Sequence, residues 1–168
     1  TPVLLPQGLT SGRDITGVNL FENVRKQGAL NLDGNSWAEV HDNASLDITD
    51  AITLEAWVDF NSNNDEGILG RWLTSGDKRG YLLYKVTSGV RFYISSTGAG
   101  GAGQDYQANA TTITSGWAHI VGVYDGTNIT VYVNGSEDGT DTTSISSIVS
   151  LDLDVTIGRY NNSIGTSY

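Results

Sequence analysis

The stretch ITLEAWVDF, residues 52–60, decides the fold class. It alternates strictly, with Ile52, Leu54, Ala56, Val58 and Phe60 on one face and Thr53, Glu55, Trp57 and Asp59 on the other. Successive side chains of an extended backbone point to opposite sides, so period two over nine residues reads as a half-buried strand. GVRFYIS (89–95) repeats the pattern, with Val90, Phe92 and Ile94 opposite Arg91 and Tyr93. WAHIVGVYDGTNITVYVNG (117–135) holds two apolar runs joined by Asp125-Gly126-Thr127, where glycine tolerates the positive φ of a tight hairpin turn. Val121 and Val123 on its first strand, and Ile129, Val131 and Val133 on its second, are expected to share a core face. GALNLDG (28–34), WAEV (37–40), GYLLYKV (80–86) and VTIGRY (155–160) read as further strands bounded by turn residues. Ser95 to Thr114 is expected to be the longest loop, and no stretch has a helical period. A lone hairpin cannot bury both its faces, so the prediction is an all-β sandwich of two packed antiparallel sheets.

Composition agrees. The 168 residues suit one domain, 1–168, with room for a proper core. Nine Lys and Arg stand against 19 Asp and Glu, a formal charge of −10. Such a surface repels phosphate backbones and anionic headgroups, which argues against nucleic acid and membrane-surface partners. There is no cysteine, hence no disulfide framework and no thiolate metal site. No apolar run is long enough for a membrane span, and no signal peptide is visible. A chain that opens at Thr1 without Met reads as a processed product or an excised piece.

Taken in order, QGALNLDGNSWAEV (27–40), ITLEAWV (52–58), ILGRW (68–72) with GYLLY (80–84), SGWAHIVGVYDG (115–126), ITVYVNG (129–135) and VTIGRYN (155–161) resemble the laminin-G-like, concanavalin A-like jelly-roll domains. The resemblance implies two curved antiparallel sheets in a secreted or surface-exposed protein, at the cell or virion surface, often as a carbohydrate-binding or adhesive appendage. It also implies a closing strand of Gly-x-Ile-Asp-x-Val type after VTIGRYN, which does not occur, and an opening strand that residues 4–24 match poorly. An uncovered sheet edge is therefore expected near 155–160. Three outcomes follow: LLPQGLTSG (4–12) covers it, another subunit pairs with it, or the chain is a fragment.

Catalytic spacing is missing. Among glycan-cleaving enzymes with this sandwich, the laminarinase type needs an E-x-D-x-x-E run, which is absent. Glu55 and Asp59 share a strand face, but four residues of strand span about 13 Å, beyond the carboxylate separations of either hydrolytic mechanism. His41 and His119 are the only histidines, and neither a G-x-S-x-G elbow nor a thiol accompanies them. His119, beside Trp117 at the start of a strand, reads as a structural residue. GAGGAG (98–103) spells a phosphate-loop pattern but precedes no helix, so it reads as a surface loop. The Asn-x-Ser/Thr sequons at Asn43, Asn109, Asn128, Asn134 and Asn161 are what chance produces in so polar a chain. In similar domains the Asp of the LDG-like turn often binds a structural calcium together with an Asp on the last strand. Asp33 matches the first, the second is missing here, and Asp33 serves equally well as a turn residue. For sugar recognition the candidates are Trp72 with Arg71, and Tyr84, Tyr93 and Trp57, which alternate out of phase with the apolar faces.

The expectation is a non-catalytic recognition or adhesion module for a glycan or surface protein. One alternative is a structural component of a virion, extracellular filament or cell surface, self-associating through the sheet edge. Another is an accessory domain of a carbohydrate-active enzyme.

Overall fold

The computed structural model describes residues 28–60, 65–87, 89–100, 105–110, 113 and 116–159. Among these residues, ten strands run in chain order as β1 (Ala38–Val40), β2 (Ile52–Phe60), β3 (Glu66–Leu73), β4 (Lys78–Val86), β5 (Gly89–Ser95), β6 (Asp105–Asn109), β7 (Gly116–Tyr124), β8 (Asn128–Val133), β9 (Ser136–Thr142) and β10 (Val155–Ile157). Among the described residues the only helical element is a 3-10 turn, Ala44–Leu46, capped by Asn43, whose side chain accepts the Ser45 amide. A six-stranded sheet has the order β1-β10-β3-β4-β5-β6 and a four-stranded sheet the order β2-β7-β8-β9; every pairing is antiparallel. The described residues thus form an all-β sandwich of two antiparallel sheets, as the alternating segments predict.

The core lies between the sheets. Ile52, Leu54 and Phe60 of β2 meet Leu83, Val90, Phe92 and Ile94 of the opposite sheet, with Ala56 and Val58 packed at the margin. On β7 the expected face is inverted. The buried side chains are Ala118, Ile120 and Tyr124, whereas Val121 and Val123 are half-buried on the outer face. Register enforces this: Ile120 pairs Val133, Gly122 pairs Val131 and Tyr124 pairs Ile129, so these six share the inner face. Both faces of HIVGVY carry apolar residues, and alternation alone does not rank them. The signal that does is Gly122, where a Cβ would lie 2.6 Å from the Phe92 ring. Only glycine lets that aromatic ring close against the sheet.

Other expectations are corrected. GALNLDG (28–34) forms no strand. Gly28 and Gly34 adopt positive φ (68° and 84°), and Asp33 closes its own turn by accepting the Asn35 amide at 2.9 Å. The supposed loop from Ser95 to Thr114 contains β6. SEDGTDT forms β9 without any apolar alternation; it lies where Gly139 lets the Asn109 carbonyl of β6 come within 2.0 Å of the position a Cβ would take. Finally, the edge expected near 155–160 is covered over its described strand, Val155–Ile157. β10 lies between β1 and β3, pairing Ala38 with Ile157 and Val40 with Val155. WAEV, rather than a foreign strand, does the covering. LLPQGLTSG lies outside the described residues.

Candidate functional site

The residues singled out for ligand binding divide among three places. Arg71 points inward. It is 2% exposed, and all its donors are taken by the chain itself. Nε donates to the Leu153 carbonyl (2.8 Å), Nη1 to the Leu46 carbonyl (2.8 Å) and Asp47 (2.9 Å), and Nη2 to Asp42 and the Leu151 carbonyl. The guanidinium thereby ties the 42–47 segment and the 151–153 segment to β3, and its hydrogen bond holds the Asp47 carboxyl below the usual carboxylate range.

Trp72, Tyr84 and Tyr93 do come together, on the outer face of the six-stranded sheet. With Leu82 and Val86 they form a second apolar cluster, the Trp72 and Tyr93 rings lying 5.4 Å apart and tilted by 51°. As neighbours on β3, Arg71 and Trp72 point to opposite faces of the sheet. Thr74 and Arg79 complete a shallow groove of about 190 Å³ over this cluster. The aromatic walls are largely spent on packing: Trp72 is 7% exposed, and Arg79 donates to the Thr74 and Gly98 carbonyls.

Trp57 belongs to neither group. It projects from the outer face of the four-stranded sheet and is 65% exposed. Directly opposite on β7 is His119, whose imidazole stacks on the indole at 5.0 Å and 25°. The Nε2 atom of His119 is 2.7 Å from the Glu55 carboxylate, and the His119 amide donates to the Asn134 side chain. Two residues earlier on β7, opposite Asp59, Trp117 is 50% exposed. Period two puts Glu55, Trp57, Asp59, Trp117 and His119 on one surface, bringing two indoles, one imidazole and two carboxylates together. The expectation that His119 is a structural residue is met in part, since it holds Trp57 flat while lining the same surface. Trp117 escaped the sequence reading, although its signal was present: it is in phase with His119, and His119 faces Trp57. Glu55 and Asp59 were weighed only as a hydrolytic pair.

Such a surface fits binding better than bond cleavage. Flat apolar rings offer area for stacking against C–H-rich faces, and carboxylates at their rim accept hydrogen bonds from hydroxyls. Asp33 lies elsewhere, in its turn, and the Asn35 amide keeps its carboxyl below the usual range. Among the described residues, one trio has metal-ligand spacing: Glu39, His41 and Asp154. No helix among them is long and apolar enough to cross a membrane.

No curated protein matches the chain in sequence. Solved structures do match it in shape. The binding domain of Paraclostridial Mosquitocidal Protein 1 superposes with a TM-score of 0.58 at 13% identity, over 76% of this chain and 34% of that one. The botulinum neurotoxin serotype G binding domain gives 0.56 at 16% identity, over 76% and 33%. The binding domain of botulinum neurotoxin DC in complex with SialylT gives 0.50 at 13%, over 71% and 30%. The chain therefore spans about a third of the solved chains it matches, and at these identities the likeness is one of fold. The family model described as the concanavalin A-like lectin/glucanases superfamily matches residues 32–168, most of the chain. By that match, the chain is a member of the concanavalin A-like lectin/glucanase superfamily.

Proposed function

We propose that this domain is a non-catalytic recognition module that binds a glycan across the outer face of its four-stranded sheet. The observation that carries the reading is the pair of indoles, Trp57 and Trp117, left more than half or half exposed on adjacent strands. Exposed aromatics clustered within a polar rim mark interaction sites on otherwise soluble surfaces. Trp57 and Trp117 are diagonal partners, about 7–8 Å apart along the sheet, a spacing suited to neighbouring sugar rings. In the proposed roles, the indoles stack on sugar faces, Glu55 and Asp59 accept hydroxyl hydrogens, and His119 orients Trp57. The formal charge of −10 favours a neutral glycan over a sulfated or sialylated one. Structural neighbours that are themselves binding domains support a binding role in general, and a recognition module implies an extracellular or surface location. Asp33 is retained as the candidate ligand of a structural calcium, with melting temperature in calcium and in chelator, for wild type and Asp33→Ala, as its readout.

The test is a glycan array probed with wild type, Trp57→Ala and Trp117→Ala. Specific binding by wild type, lost in both variants at unchanged melting temperature, is the expected result. Retention of the same binding by both variants moves the site elsewhere. Absence of any glycan binding, together with regular self-assembly of the purified chain, favours the structural reading instead.

A further inference from the structure

We propose that Glu39, His41 and Asp154 form a site for one divalent ion of the zinc class, which clips β1 to β10. The three side chains each offer a ligand atom, and these atoms all lie within 4.8 Å of one another. Zinc holds oxygen and nitrogen ligands at about 2.0–2.2 Å in tetrahedral geometry, so donors around one ion lie about 3.4 Å apart. Closing in from 4.8 Å takes up to about 1.4 Å of approach, shared between the side chains. His41 is 72% exposed and Glu39 is exposed as well, so both side chains are free to make that adjustment.

The donors are oriented from outside. Trp37 Nε1 donates to Glu39 Oε2 at 3.1 Å and the Asp42 amide donates to Asp154 Oδ1 at 2.8 Å, which leaves the other oxygen of each carboxylate uncommitted to these donors. His41 Nδ1 lies 3.3 Å from Asp154 Oδ2. Groups that fix the ligands from behind are what a metal site uses to set donor orientation. The imidazole sets this trio apart from a merely acidic cluster. An all-oxygen group suits calcium or magnesium, whereas one imidazole nitrogen with two carboxylate oxygens suits zinc and its neighbours.

The position gives the ion something to do. β1 joins the sheet through three residue pairs with β10, and β10 joins β3 through two. His41 and Asp154 are 113 residues apart, so one ion across them closes a long loop at the weakest end of the six-stranded sheet. Three protein ligands also leave a coordination position open to solvent. The inference does not depend on the glycan reading, since the trio and the Trp57 surface sit on different sheets.

The decisive experiment adds zinc chloride to the intact, chelator-treated protein and follows imidazole signals by NMR. With two histidines in the chain, one His41→Ala spectrum assigns both. One equivalent of zinc is expected to shift His41 and leave His119 unchanged. A hundredfold excess over Kd is expected to raise the melting temperature by roughly 5–10 °C. His41→Ala and Asp154→Asn should each weaken binding at least tenfold. Three results would overturn the proposal: no His41 perturbation at millimolar zinc, affinity unchanged in His41→Ala, or an equal melting shift with calcium chloride and no imidazole response. Should Asp154→Asn fail to fold, the wild-type spectra still decide.

Discussion

The outer faces of the two sheets carry similar aromatic sets with opposite fates. On the six-stranded sheet, Trp72, Tyr84 and Tyr93 are gathered around β4, which has hydrogen-bonded neighbours on both sides, and every residue from Tyr81 to Val86 is buried. On the four-stranded sheet, Trp57 stands on β2, which among the described residues pairs with β7 alone, and Trp57 and Trp117 remain in solvent. The same residue type therefore serves packing on one sheet and display on the other. Trp57 lies on an edge strand, and Trp117 lies on β7 outside the span Ile120–Tyr124 that β8 pairs, so each has an open flank. Identity does not separate a core tryptophan from a contact tryptophan; the apolar side chains gathered beside it do.

The comparison depends on which face of each strand is inner, so the largest expected effect tests that. The same substitution placed on the two faces of the four-stranded sheet should diverge sharply. Val131 is fully buried, and Val131→Lys leaves an unpaired charge in the core, a loss of more than about 4 kcal/mol that abolishes folding. Val121 is half-buried on the outer face opposite Glu55, and Val121→Lys should cost less than about 1 kcal/mol. Circular dichroism and chemical denaturation read the difference. Equal losses at the two positions would invert the strand assignment and with it the whole outer surface.

A second contrast, of intermediate size, sets the two tryptophans against each other directly. Trp72→Ala removes a packed ring and should cost about 3–5 kcal/mol. Trp57→Ala removes one that is mostly in water and should cost about 0.5 kcal/mol, within the range of ordinary surface changes. Comparable destabilisation by both would mean that Trp57 is packing rather than display, and the proposed glycan surface would lose its main observation.

These contrasts show how far the residues speak for themselves. The fold class was legible in ITLEAWVDF because one face there is apolar and the other is charged or aromatic. β7 was harder, since His119, Val121 and Val123 compete with Ala118, Ile120 and Tyr124, and the deciding fact is a ring from another sheet above Gly122. β9 was illegible, as SEDGTDT has no apolar face and is held by its pairing with β8 and the close approach of β6 at Gly139. At the site, Trp57 was legible from its phase, whereas Arg71 was misleading. Adjacent to Trp72 in sequence and therefore on the opposite face, it is buried and consumed by backbone carbonyls 25 to 82 residues away. Carbonyls brought in from such distances leave no local pattern to read.

The smallest effect probes how Trp57 is held. Its stack on His119 is exposed, so a double-mutant cycle with Trp57→Ala and His119→Ala should return a coupling of about 0.5–1 kcal/mol. The cycle removes the separate contribution of the contact between His119 and Glu55. The functional consequence should exceed the stability one. An indole already flat against an imidazole surrenders little rotational freedom when a ligand arrives, whereas a free one gives up about 0.5–1.5 kcal/mol. His119→Ala should therefore leave the melting temperature nearly unchanged yet weaken glycan binding roughly three- to tenfold. Measured by calorimetry with a glycan identified on the array, the loss should be mainly entropic. Unchanged affinity in His119→Ala would show that Trp57 needs no support from the neighbouring strand, and that its exposure alone sets its role.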